Sequence, residues 1–222
     1  STSSQMDPPP PPKATAPTTL AEARAALPKG DQWAVSNLRY EDEGRAVAEA
    51  IKKGTCAAVS DGSFEPQFGT SATIVKDMEI PGPEMTGLNA VPGDPSYQSA
   101  YRSELAGVAA STTVVEMVCQ VHNITEGSMT MSLDGLSAIK AVSQSWNQKP
   151  SAPDFDLINS IRRRVKRLPI TINFEHVKGH QDDDRTATLS PLAKLNVRAD
   201  SLCQAALPKL PHCGSAKPQI WR

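Results

Sequence analysis

The run Thr55-Cys56-Ala57-Ala58-Val59-Ser60-Asp61-Gly62-Ser63 constrains this chain more than any other stretch. A short, apolar, β-prone segment ends in an aspartate and then meets a turn signal. A buried central strand of that kind carries a carboxylate to one rim of a sheet. Three further acids stand beside apolar elements: Glu104, Asp134 and Asp200. Carboxylates gathered at one rim would desolvate and repel one another, and a divalent cation relieves both effects. The four are therefore expected to meet around metal ions.

The chain in order supports one α/β domain with extensions. Pro8 to Pro12 are consecutive within a Ser- and Thr-bearing stretch, so residues 1–19 read as a proline-rich, disordered linker, either a spacer or a docking site. Residues 20–54 read as an appendage: a helix over 19–26, a strand over 33–38 and a helix over 40–53 stopped by Gly54. The main domain spans 55–207. It opens with a three-stranded antiparallel meander: residues 55–61, 68–75, and a strand within 79–91. A helix over 97–121 follows, with Tyr101, Leu105, Val108, Thr112, Val115 and Cys119 on one face. Glu104 borders that face, held either by a metal or by an ion pair such as one with Arg102.

Residues 129–134 repeat the first motif: a strand, an acid, then Gly135 and a helix over 136–145. Residues 155–168 form a basic helix whose arginines either solvate a surface or meet nucleic-acid phosphates. Residues 170–177 alternate strictly as a strand. The polar loop Lys178-Gly179-His180 leads to a final helix over 190–207, with Ser190-Pro191 as its start signal. Asn196 and Asp200 lie one turn apart on it. His176 and His180 have zinc-like spacing, but no cysteine pair accompanies them. Residues 208–222 read as a loose tail.

Formal net charge is −1, so no global basic field announces a nucleic acid, and any grip on one must be local. The four cysteines show no metal-ligand spacing, which suits a reduced, intracellular protein. No apolar run reaches the length of a membrane span.

Five segments, Ser60-Asp61-Gly62-Ser63, Tyr101-Arg102-Ser103-Glu104-Leu105, Leu133-Asp134, His176-Val177-Lys178-Gly179-His180 and Asn196-Val197-Arg198-Ala199-Asp200, occur in the order and on the elements of type 1 ribonuclease H. The chain resembles that family over roughly residues 54–207, most of all the ribonuclease H domain of retroelement reverse transcriptases. Gly135 departs from the Ser or Asn usual there.

The resemblance implies a ribonuclease H-like α/β fold: a five-stranded mixed sheet, strand order 3-2-1-4-5, with helices on both faces. It implies an endonuclease cutting the RNA strand of an RNA/DNA hybrid, leaving 5′-phosphate and 3′-hydroxyl ends. Asp61, Glu104, Asp134 and Asp200 would hold two Mg²⁺ ions, with Mn²⁺ able to substitute, and His180 would assist proton transfer or product departure. Gly62, Ser63 and Asn196, with Arg163, Arg164 and Arg167, complete the expected substrate contacts. A reverse transcriptase polymerase domain is the implied neighbour in a parent polyprotein. The alternative is a catalytically silent domain of this fold that binds nucleic acid or supports a neighbour.

Overall fold

The computed structural model describes residues 9–12, 15–144, 149–179 and 188–209. Helix α1 (Leu20–Ala26) begins where the Thr19 hydroxyl accepts a hydrogen bond from the Glu22 N–H at 3.1 Å. A 3-10 turn (Lys29–Val35) and the two-residue strand β1 (Leu38–Arg39) follow, where one continuous strand over 33–38 was expected. Burial explains the difference, since the turn places both Ala34 and Val35 inside and a strand would put them on opposite faces. Helix α2 (Arg45–Lys53) starts later than expected, after the left-handed pair Glu43-Gly44, and ends at Gly54.

The remaining elements are β2 (Cys56–Glu65), β3 (Phe68–Asp77), β4 (Met85–Ala90), α3 (Ala100–Val121), β5 (Ser128–Leu133), α4 (Leu136–Ser143), α5 (Phe155–Arg167), β6 (Thr171–His176) and α6 (Pro191–Ala206). They form a six-stranded mixed sheet, β1-β4-β3-β2-β5-β6. The five long strands have the expected 3-2-1-4-5 order. The sixth is β1, which extends the edge by pairing Leu38 with Gly87.

Strand β2 does not stop at Asp61. It runs four residues further and turns back through Pro66-Gln67, with Gln67 at φ 70°. Asp61 is nevertheless at a rim, because the parallel pairing of β2 with β5 ends at Val59 and Ser132. Asp61 and Asp134 each lie two residues past that last pair.

The helices cover both faces. Helix α6 packs its Leu195, Ala199 and Cys203 on Val59, Ala72 and Ile74. Helix α3 lies on the other face and is buried on nearly every side rather than along one stripe. The sheet lies beneath it, while α1, the 3-10 turn and α5 cover its back, so no solvent-facing polar side is needed. Leu20, Ala23, Val35, Val47 and Ile51 share one apolar cluster with Val114, Val118 and Met131. Residues 20–53 therefore build part of the main core.

Candidate active site

Small residues decide how closely α3 approaches β2. A Cβ on Gly107 would lie 3.0 Å from the Ser60 Cβ. One on Gly62 would overlap the Ser103 backbone and lie 2.6 Å from the Glu104 nitrogen. These two glycines seat the first turns of α3 on the middle of β2, which brings Glu104 to the rim that carries Asp61. The Ser99 hydroxyl caps the helix by accepting from the Arg102 N–H at 3.0 Å.

Asp61 feels all three other acids. Burial, first, and then the negative charges of Asp200, Glu104 and Asp134 push its carboxyl up to about 7, against a hydrogen bond from the Gly62 N–H at 2.8 Å. Glu104 is also raised, by burial and then by Asp134. Burial and mutual repulsion thus both disfavour the ionised forms of Asp61 and Glu104, and hard divalent cations prefer such carboxylate oxygens. The donor set fits a metal of that kind.

The tightest grouping was not foreseen. Ligand atoms of Asp61, Asp200 and Cys203 all lie within 4.8 Å of one another. Cys203 is fully buried, its thiol donates to the Asp200 carbonyl at 3.3 Å, and burial followed by the charges of Asp61 and Asp200 pushes its pKa far up. It stays a thiol and serves as packing under the site. Its position three residues after Asp200 on the same helix was the available signal. Gln204 donates to Asp200 Oδ1 at 2.9 Å.

Asp134 is held from β6. The Gly179 N–H donates to its Oδ1 at 3.0 Å, and His176 Nε2 lies 3.6 Å from the same oxygen. The residue after Asp134 also matters. Gly135 has ordinary backbone angles, φ −75° and ψ 97°, so conformation does not demand glycine. A Cβ there would overlap the Glu104 carboxylate, 2.7 Å from its Cδ. Gly135→Ala is therefore expected to leave the melting temperature within a few degrees of wild type. It should displace Glu104 and weaken Mn²⁺ binding at this rim by about tenfold or more, the scale for disturbing the orientation of a ligand. Thermal melts beside Mn²⁺ titration calorimetry check this.

Asn196 is buried with its Nδ2 unpartnered, one turn before Asp200. Gly62 and Ser63 lie in β2 just beyond Asp61. His180 lies outside the described residues. Arg102 is not the partner of Glu104: it is buried, bidentate to Asp156 at 2.9 and 2.7 Å and bonded to Asp154 at 3.0 Å.

The basic helix also divides. Arg163 is exposed, whereas Arg164 is 3% exposed, with Nη2 3.2 Å from Asp31 and Nε 3.7 Å from Glu116. A substrate contact through Arg164 is thereby overturned: the side chain is inside. Its place three residues after Ile161 and seven after Leu157, in phase with the apolar stripe, was the legible warning. Arg167 is exposed and bonds Glu116 at 2.9 Å.

Neither a protein-family model nor a curated protein matches the chain. Solved structures do. The chain is similar to LC11-RNase H1 in complex with an RNA/DNA hybrid, at TM-score 0.50 and 12% identity, over 69% of this chain and 97% of that one. RNase H1 from the halophilic archaeon Halobacterium salinarum NRC-1 aligns at TM-score 0.48 and 14% identity, over 70% of this chain and 98% of that one. Sheet order, the placement of α3 and α6 on opposite faces, and the likeness to LC11-RNase H1 agree: the chain has the ribonuclease H-like α/β fold.

Proposed function

We propose that this chain is a divalent-metal-dependent endonuclease that hydrolyses the RNA strand of an RNA/DNA hybrid, leaving 5′-phosphate and 3′-hydroxyl ends. The observation that carries the proposal is the gathering of four acids at one rim of this fold: ligand atoms of Asp61 and Asp200 lie within 4.8 Å of one another, and the Glu104 carboxylate lies against Gly135, the residue after Asp134. Asp61, Glu104, Asp134 and Asp200 would hold the metal, Mg²⁺ or Mn²⁺. When bound, such ions supply charge stabilisation and an activated water for phosphodiester hydrolysis.

The protein's own part is positional. Asp61 and Asp200 offer oxygens from a strand and a helix on one side of the rim. Glu104 and Asp134 offer them from α3 and the end of β5. Gly62, Ser63 and Asn196 adjoin the acids where a phosphate backbone would pass, and His180 follows Gly179 in sequence, suited to moving a proton. Arg163 and Arg167, on the exposed side of α5, are the proposed local grip on the hybrid.

The motif resemblance further supports a retroelement polyprotein as parent, with a reverse transcriptase polymerase domain as neighbour. Three free, buried cysteines, Cys56, Cys119 and Cys203, support a reducing, intracellular setting. Among the described residues, no helix is long and apolar enough to cross a membrane.

The test is cleavage of a labelled hybrid, against double-stranded DNA and double-stranded RNA, with Mg²⁺ or with EDTA. Hybrid-specific, EDTA-sensitive cutting is expected. Mn²⁺ or Mg²⁺ should also raise the thermal midpoint, because the ions bind the folded cluster alone. The same shift in a variant lacking all four acids would place the metal elsewhere. Hybrid binding without cleavage would favour a silent binding domain.

A further inference from the structure

Asp134 is a weakly rooted ligand by the standards of its neighbours. It follows the last residue of β5, its side chain is 39% exposed, and the helix after it starts at a glycine with no side-chain cap. A metal ligand left mobile binds weakly, because ordering it costs side-chain entropy each time.

The turn after β6 answers this. The Val177 N–H donates to the Leu133 carbonyl at 3.1 Å, which fastens the turn to the residue immediately before Asp134. Two residues on, the Gly179 N–H donates to Asp134 Oδ1 at 3.0 Å. Gly179 lies outside the left-handed region, so its backbone would accept other residues. Space is what excludes them: a Cβ on Gly179 would overlap the Asp134 carboxylate, 2.7 Å from its Cγ. The amide can reach the oxygen only because no side chain stands between them.

We propose that Gly179 is a positioning residue for the metal site, its backbone N–H orienting the Asp134 carboxylate for coordination. This rests on the reading that Asp134 is a metal ligand, and it goes further by assigning the holder. A carboxylate offers about four lone-pair positions, so one can accept the amide while others remain for a cation. The structural alternative is that Gly179 merely closes a turn before α6, in which case metal affinity would not depend on it.

The test compares wild type with Gly179→Ala, both stripped of metal, by Mn²⁺ titration calorimetry and by hybrid cleavage as a function of Mn²⁺. The variant is expected to bind Mn²⁺ at least about tenfold more weakly, in the range typical for loss of a group that orients a ligand. Its cleavage curve should shift to higher Mn²⁺ by a similar factor, with much of the rate recovered at saturation. Wild-type Mn²⁺ affinity in a folded Gly179→Ala protein overturns the inference and leaves the metal reading standing. A wild-type protein that binds no Mn²⁺ overturns both.

A second measurement needs no substitution at Gly179. In metal-free protein, the Gly179 amide should exchange with solvent at least about tenfold faster in Asp134→Ala than in wild type. Equal exchange rates overturn the inference.

Discussion

Asp61→Asn is expected to give a folded protein that has lost hybrid cleavage, by at least about 10³-fold, the upper scale for removing one transition-state stabiliser. The same variant should be more stable than wild type when metal is absent, and the sign follows from its carboxyl. Asp61 rises from 3.8 in the unfolded chain to about 7 in the fold. The folded state thus holds this proton more tightly, and its contribution is fully present below pH 4. It is lost as pH climbs through 7. Three units at 1.36 kcal/mol each put the loss near 4 kcal/mol at pH 8, or roughly 10 °C in melting temperature for a chain this long. In EDTA, the two melting temperatures should agree near pH 4 and diverge by pH 8, with Asp61→Asn higher. Saturating Mn²⁺ should close that gap by stabilising wild type alone. Parallel melting curves across this range would show that Asp61 is neither buried nor held among anions as described.

Arg164→Ala is expected to cost about 3–5 kcal/mol of stability, because it leaves Asp31 facing a half-dry interior without its cation, and Glu116 with Arg167 alone. Burial dominates on both sides of the Arg164–Asp31 pair: it lowers the Arg164 pKa and raises that of Asp31, each toward its neutral form. Removing one partner is therefore costly, while replacing the whole set by apolar residues is expected to restore much of the loss. Urea unfolding of Arg164→Ala and of Arg164→Met/Asp31→Leu/Glu116→Leu checks both parts. At low temperature, where the single variant remains folded, it should bind hybrid with wild-type affinity and salt dependence. Arg163→Ala should instead keep its stability and lose roughly one phosphate contact, about 0.7 to 0.9 in the salt slope. Equal binding losses at the two positions would contradict the burial of Arg164.

What was legible in the sequence was the part set by short-range pattern. The long strands and the acids that follow two of them, Asp61 and Asp134, were read from apolar runs, alternation and turn residues, whereas the strand order was implied by the resemblance to type 1 ribonuclease H. The rest depended on neighbours. Asp61 looked like a strand end because Gly62-Ser63 is a turn signal, yet the β2–β3 pairing overrides it and carries the strand to Glu65. Helix α3 looked amphipathic because a single stripe was read as its buried face, but Ser111 and Thr113 beside that stripe are buried too, Ser111 bonding Thr73 at 2.5 Å and Thr113 donating to the Ala109 carbonyl of its own helix at 2.7 Å. Gly135 and Gly179 stood out only through the family resemblance, which did not say why a glycine is needed. Their importance lies in what a side chain would strike, and that is set by Glu104 and Asp134, distant in sequence.

The apolar cluster that joins residues 20–53 to α3 and the sheet also governs how the chain comes apart. Val47, Ala50 and Ile51 of α2 and Leu20 and Ala23 of α1 are at most 1% exposed, against Val114, Val118 and Met117 that would otherwise face water. A protein cut between Gly54 and Thr55 and stripped of its first part would bare that side of α3 and invite self-association. The two parts consequently belong to one cooperative unfolding unit. The slowest amide exchange should then be shared by α2 and β2 rather than confined to the strand that bears Asp61.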